Sequence, residues 1–128
     1  MSEIVVERRE GVPIARPRQD IDAATAELVR AELAACIDEQ TDTLIVDLSS
    51  TSYLDSAGVD MLFRLAALLD QRRAKLRLVI PTESQLARLA AIVALPDAMP
   101  IHPTVAAALE STAQAARPPA AKAAEEAQ

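Results

Sequence analysis

The sequence predicts a single α/β domain on a mixed, mostly parallel sheet of about five strands with about four helices. Three observations carry this. Short apolar runs alternate with longer stretches of helical period, and strands separated by a helix need crossover connections, which pair them in parallel. Residues 43–48, TLIVDL, are apolar nearly throughout, as a strand covered on both faces must be. A chain of 128 residues, 51% of them apolar, supports one core but not two.

The elements follow in order. Residues 4–7 read as a strand, Arg9-Glu10-Gly11 as a turn, and 12–16 as a returning strand, so the chain opens with a hairpin. Pro13 and Pro17 remove ladder donors, which puts at least one of these strands near a sheet edge. Asp22 is placed to cap a helix running to about Glu39, with Val29, Leu33, Cys36 and Ile37 on one side. After the apolar strand 43–48 comes a polar loop, 49–52, and then a helix from Asp55-Ser56-Ala57-Gly58 to about Arg72. Its core stripe reads Val59, Leu62, Phe63, Ala66 and Leu69, widened by Met61, Leu65 and Leu68. Residues 75–80 form the next strand, ended by Pro81. Thr82 and Gln85 have capping-box spacing before a helix that carries Leu86, Leu89, Ala90 and Val93 inward and stops near Pro96. A short strand at 99–101 and a last helix from Pro103-Thr104 to about Ala115 complete the domain, 1–115. Residues 116–128 are Ala/Pro-rich without an apolar face and are expected to be a disordered tail.

Composition excludes several functions. The net charge of −6 argues against nucleic acid, whose phosphates must be met by clustered Lys and Arg. The nearest basic cluster, Arg72, Arg73, Lys75 and Arg77, reads as a solvated turn. One cysteine, Cys36, cannot form an intrachain disulfide and falls on an apolar stripe as a small hydrophobe. The first nine residues are charged and no run approaches the ~20 apolar residues of a membrane span, so a cytoplasmic protein without membrane partners is expected. Gly11 and Gly58, the only glycines, cannot build a phosphate-cradling loop. His102 reads as structural, and one His with one Cys makes no ordinary metal site, so neither a metal nor a cofactor is implied. Ser56 lacks a nucleophile-elbow context, which leaves a hydrolase without support.

What remains is Ser56 itself, at or next to a helix N-terminus where free N–H groups and the macrodipole favour negative charge. Either Asp55 or Ser56 merely caps the helix, or Ser56 is a phosphoacceptor or contact residue. Gly58, without Cβ, would let another protein's backbone or a nucleotide phosphate come close. A phosphate would add about −1.5 to −2 charges beside Asp55, tolerable in the isolated domain and damaging at a desolvated interface.

The segments Asp20-Ile21-Asp22-Ala23-Ala24-Thr25, Leu44-Ile45-Val46-Asp47-Leu48, Tyr53-Leu54-Asp55-Ser56-Ala57-Gly58 and Arg77-Leu78-Val79-Ile80 together resemble the STAS domain of anti-sigma factor antagonists. The third is similar to the family's aromatic-hydrophobic-Asp-Ser-x-Gly signature. The resemblance implies a STAS-like fold and a binding protein, not an enzyme. It implies that Ser56 is phosphorylated by an ATP-dependent anti-sigma factor kinase, which binds the unmodified form, and that a phosphatase resets the switch. Asp20, Asp22, Thr25, Asp55, Ser56, Ala57 and Gly58 would then form the partner-binding surface, with Met61 and Leu65 as its apolar part wherever they are exposed. On that expectation, Leu65→Asp would weaken partner binding without unfolding the domain. The sequence departs from the family at Gln19, Ala57, Gln71-Arg72-Arg73-Ala74 and Ala94-Leu95, where glycines or a second serine are usual. The alternative function is an unphosphorylated STAS scaffold subunit of a lipid-transport ATPase or a stress-signalling assembly.

Overall fold

A computed structural model describes residues 3–115, so the expected tail, 116–128, lies outside the described residues. Strands β1 (Ile4–Arg9) and β2 (Val12–Pro17) pair antiparallel, with Ile4 opposite Pro17 and Arg9 opposite Val12. Glu10 and Gly11 make the turn, both with positive φ (54° and 80°), the conformation that matches the twist of the flanking strands. Helix α1 (Ala26–Ala34) then crosses to β3 (Thr43–Asp47), and α2 (Ser56–Gln71) crosses to β4 (Lys75–Val79). Helix α3 (Gln85–Ile92) and a one-turn helix α4 (Leu95–Ala98) lead to β5 (Ile101–His102), and α5 (Val105–Ala115) follows. The sheet runs β1-β2-β3-β4-β5, with every pair after the hairpin parallel. β1 is the edge strand, whereas Pro13 and Pro17 lie in β2, which is paired on both sides and meets β3 only through Ile14 and Ala15, between the two prolines.

Strand alternation sorts the core into two layers. Ala15, Leu44, Val46, Leu76 and Leu78 face α1, α2 and α3, where Val29, Leu33, Met61, Leu62, Leu65, Leu69 and Leu86 close over them. Ile14, Ile45 and Val79 face the other way, onto Ala108 of α5. With so little aromatic surface, the interior is a mosaic of aliphatic side chains, each worth about 1.5–3 kcal/mol when fully buried.

Several elements differ from expectation for local reasons. Helix α1 ends at Ala34 rather than near Glu39, because the amides of Cys36 and Ile37 bond to carbonyls three residues back, at 3.1 and 3.2 Å. Asp38 Oδ1 then accepts from the Gln40 amide and the Thr41 hydroxyl and sets a turn. Cys36 is half-buried, and burial pushes its thiol pKa up. The cap of α3 is Ser84, not Thr82: its hydroxyl donates to the Pro81 carbonyl (2.7 Å) and accepts from the Ala87 amide (3.1 Å). The chain past Ala94 coils into α4 before β5, which moves the last strand to Ile101–His102 and gives a fifth helix.

Two departures from the family pattern leave a conformational trace. Arg73 and Ala94 lie in two of the segments that depart from the pattern of the family the sequence resembles, and both have left-handed backbones, φ 60° and 59°. The fold keeps the conformation without the residue that adopts it freely. The basic cluster also splits. Arg72, Arg73 and Lys75 are exposed, whereas Arg77 is 6% exposed on the α5 side of the sheet. Its Nη1 lies 3.2 Å from His102 Nε2, an arrangement in which the guanidinium donates to a neutral imidazole. Burial, reinforced by the Arg77 charge, lowers the His102 pKa.

Candidate functional site

The site forms where two segments far apart in sequence are zipped together. Ile21 and Leu54 form a one-residue parallel bridge, with the Ile21 amide donating to the Tyr53 carbonyl (3.2 Å) and the Asp55 amide to the Ile21 carbonyl (3.3 Å). The Thr51 hydroxyl donates to the Pro17 carbonyl at 3.3 Å. Asp20 Oδ1 accepts from the amides of Ser52 (3.2 Å) and Tyr53 (3.1 Å). Residues 20–25 and 51–58 therefore form one surface, although neither belongs to the main sheet.

Asp55 is the N-cap of α2. Its backbone is extended, Oδ1 accepts from the Gly58 amide at 3.0 Å, and Oδ2 accepts from the Ala23 amide at 3.2 Å. One carboxylate thus satisfies an orphan donor of the helix and clasps the other segment. Because Asp55 caps the helix, Ser56 does not. Ser56 is the first helical residue, it is exposed, and its hydroxyl has no hydrogen-bond partner among the described residues.

Asp22 and Thr25 are occupied by their own backbone. Asp22 Oδ1 accepts from the Ala24 and Thr25 amides at 2.9 and 3.1 Å, and Thr25 Oγ1 accepts from the Asp22 amide at 3.1 Å. Asp22 caps the lead-in turn, while α1 begins one residue after Thr25. The two residues satisfy each other's donors reciprocally, as in a capping box.

Gly58 has a different role from the one expected. It is buried, and a Cβ there would lie 2.7 Å from the Ile21 carbonyl oxygen and 3.0 Å from Leu54 Cδ2. The close approach that glycine permits is made by this chain's own backbone, not by a partner. This contact also sets the rotation of α2. With Gly58 turned inward, the buried stripe is Gly58, Met61, Leu62, Leu65 and Leu69. Met61 and Leu65 are 3% and 0% exposed, so they belong to the core and not to an outer docking face. Leu65→Asp is accordingly expected to unfold the domain. Phe63, expected inside, is 38% exposed and borders a cleft of about 400 Å³ with Ala67, Ala98 and Met99.

Of the residues singled out in the sequence, Asp20, Asp22, Thr25, Asp55, Ser56 and the half-buried Ala57 meet at this end of α2, with Gly58 beneath them. Asp60, one turn on from Ser56, is paired with Arg64 at 2.7 Å. Sequence reasoning left Tyr53 out of the site; its side chain is 55% exposed, three residues before Ser56, and its amide is held by Asp20. Among the described residues no group of three His, Cys, Asp or Glu side chains could hold a metal, and no helix is long and apolar enough to cross a membrane.

A family model described as STAS domain matches residues 3–108. A crystal structure of an anti-sigma factor antagonist from Mycobacterium paratuberculosis is similar at 24% identity and a TM-score of 0.74, covering 84% of this chain and 91% of that chain. The phosphorylated form of the Bacillus cell fate determinant SpoIIAA is similar at 20% identity and a TM-score of 0.59, covering 85% of this chain and 98% of that chain. The murine anion transporter Slc26a9 contains the fold as well, at 22% identity and a TM-score of 0.70, covering 84% of this chain and 18% of that chain. At these identities the likeness is one of fold. No curated protein matches the sequence.

Proposed function

The chain belongs to the STAS domain family, and from that premise we propose that it is an anti-sigma factor antagonist whose partner is switched by phosphorylation of Ser56. The unmodified protein binds an anti-sigma factor with serine-kinase activity and so frees a sigma factor. Phosphorylated protein is released, and a phosphatase restores it. Asp22, Thr25, Asp55 and Ala57 frame the surface the partner reads.

One observation supports this most: the Ser56 hydroxyl is exposed and unengaged at the start of a helix capped by its neighbour. A phosphate there would add about −1.5 to −2 charges. The N-terminal end of the helix dipole partly offsets them, so the domain tolerates the modification. At an interface the same group must be desolvated beside Asp55, and its cost falls on binding. The backbone bonds across residues 20–25 and 51–58 mean that little else needs to move.

The scaffold reading is supported by the fold's occurrence within a much larger transporter chain. The two separate on one experiment. Incubation with an anti-sigma factor kinase and ATP is expected to add one phosphate on Ser56 by mass spectrometry, absent in Ser56→Ala. Ser56→Asp is expected to bind the kinase at least tenfold more weakly than wild type. An unmodified Ser56, with both variants binding like wild type, would favour the scaffold.

A further inference from the structure

We propose that Asp20 is a positioning residue for the phosphoryl acceptor, holding the loop that leads into Ser56 through two backbone amides and not by touching the partner. The inference rests on the reading of Ser56 given above. Asp20 belongs to the segment before α1, yet Oδ1 reaches across 32 and 33 residues to the amides of Ser52 and Tyr53. Successive N–H groups aimed at one point make a small anion-binding concavity, and here the chain supplies its own anion.

The clasp supplies the partners of the Ser52 and Tyr53 amides, which the bonds of Thr51 to Pro17 and of Tyr53 to Ile21 do not reach. Ser49, Ser50, Ser52 and Tyr53 are all exposed, so packing contributes little to their order. Thr51 and Leu54 are buried and pin the backbone at two points, and the Asp20 carboxylate fixes the stretch between them. Ser56 lies three residues beyond Tyr53, past the buried Leu54 and the capping Asp55. In the transfer, Ser56 Oγ attacks the γ-phosphorus of ATP on the kinase. The new O–P bond forms as the bond to ADP breaks, and the hydroxyl proton passes to a base on the kinase. Such a displacement depends on alignment, so a loosened acceptor loop must be ordered again at each encounter. That loss is expected in KM, since a correctly seated complex still reacts normally.

A neutral acceptor should serve as well as a charged one if Asp20 works inward. It should not if Asp20 meets a basic residue of the partner. The test uses the full chain, an anti-sigma factor kinase that phosphorylates wild-type Ser56, and ATP, with Asp20→Ala and Asp20→Asn. Asp20→Ala is expected to raise KM for Ser56 phosphorylation about tenfold with kcat within about twofold, and Asp20→Asn to stay within about twofold of wild type in both. In hydrogen exchange, the Ser52 and Tyr53 amides should exchange about tenfold faster in Asp20→Ala alone, with the β3 amides unchanged. If Asp20→Ala fails to fold, Asp20→Ser, too short to reach both amides, replaces it under the same expectation. Wild-type kinetics in Asp20→Ala would overturn the proposal. So would an Asp20→Asn as impaired as Asp20→Ala, with a defect that fades in salt. Wild-type protein that takes no phosphate on Ser56 would overturn the underlying reading and this proposal with it, whereas failure of the clasp alone leaves wild-type phosphorylation intact.

Discussion

Helices α2 and α3 both begin on an extended residue whose side-chain oxygen accepts the amide three positions on: Asp55 from Gly58 at 3.0 Å, Ser84 from Ala87 at 3.1 Å. The likeness ends there. The hydroxyl of Ser84 is used up, accepting from Ala87 and donating to Pro81. In α2 a carboxylate does the capping, and its second oxygen holds Ala23, so the serine beside it is left with nothing to bind. The third residue differs too: Ala87 tolerates a Cβ, whereas Gly58 is pressed against the Ile21 carbonyl. A serine near a helix start is ordinarily a structural part. It becomes available for chemistry only when a neighbour takes over its work.

The largest effect should distinguish the inner face of α2 from the outer face of α3. Leu65→Asp is expected to unfold the domain, costing about 4 kcal/mol or more by placing a charge where nothing can pair with it. Ile92→Asp, at a position 81% exposed, should leave the circular dichroism melt within about 0.5 kcal/mol of wild type. Next is Gly58→Ala, expected to cost about 2–3 kcal/mol in urea unfolding, because the new methyl meets backbone and not a flexible side chain. Indifference to that change would mean the two segments are not pressed together.

The caps come next. Asp55→Ala loses a local cap and a long-range bond and is expected to cost about 2–3 kcal/mol, against about 1 kcal/mol for Ser84→Ala. Equal losses would remove the distinction between the two helix starts. Smaller still, Ala94→Gly should stabilise by about 0.5 kcal/mol, as relief of the left-handed backbone outweighs the added freedom of the unfolded chain.

A pH titration gives a further, modest effect away from the site. His102 has a lower pKa in the fold than in the unfolded chain. Its contribution is therefore complete above about pH 6.5 and is lost as the pH falls from there through the folded value. Between pH 7.5 and 5, wild type is expected to lose more melting temperature than His102→Gln, which keeps an acceptor for Arg77.

The sequence and the structure part company along the same line as the two helices. Features set by neighbours in sequence were readable: the hairpin, the apolar central strand, the helix start at Asp55 and the exposed serine. Features set by distant residues were not. Nothing local announces that Ile21 will lie against Gly58. Without that contact, the stripe of α2 was placed about one residue out of phase, with Phe63 inside and Met61 and Leu65 in reserve for a partner. Asp20 reads as an acidic surface residue until Ser52 and Tyr53 are seen beside it. The α3 cap was missed for a lesser reason: Thr82 and Gln85 fit a capping box, but the turn after Pro81 extends two residues further.

The most direct test of the account is to phosphorylate the protein fully on Ser56 and compare the two forms for kinase affinity and amide chemical shifts. The account predicts at least a hundredfold loss of affinity, with shift changes confined to residues 20–25 and 51–60. Undiminished binding, or changes spread through the sheet, would contradict it.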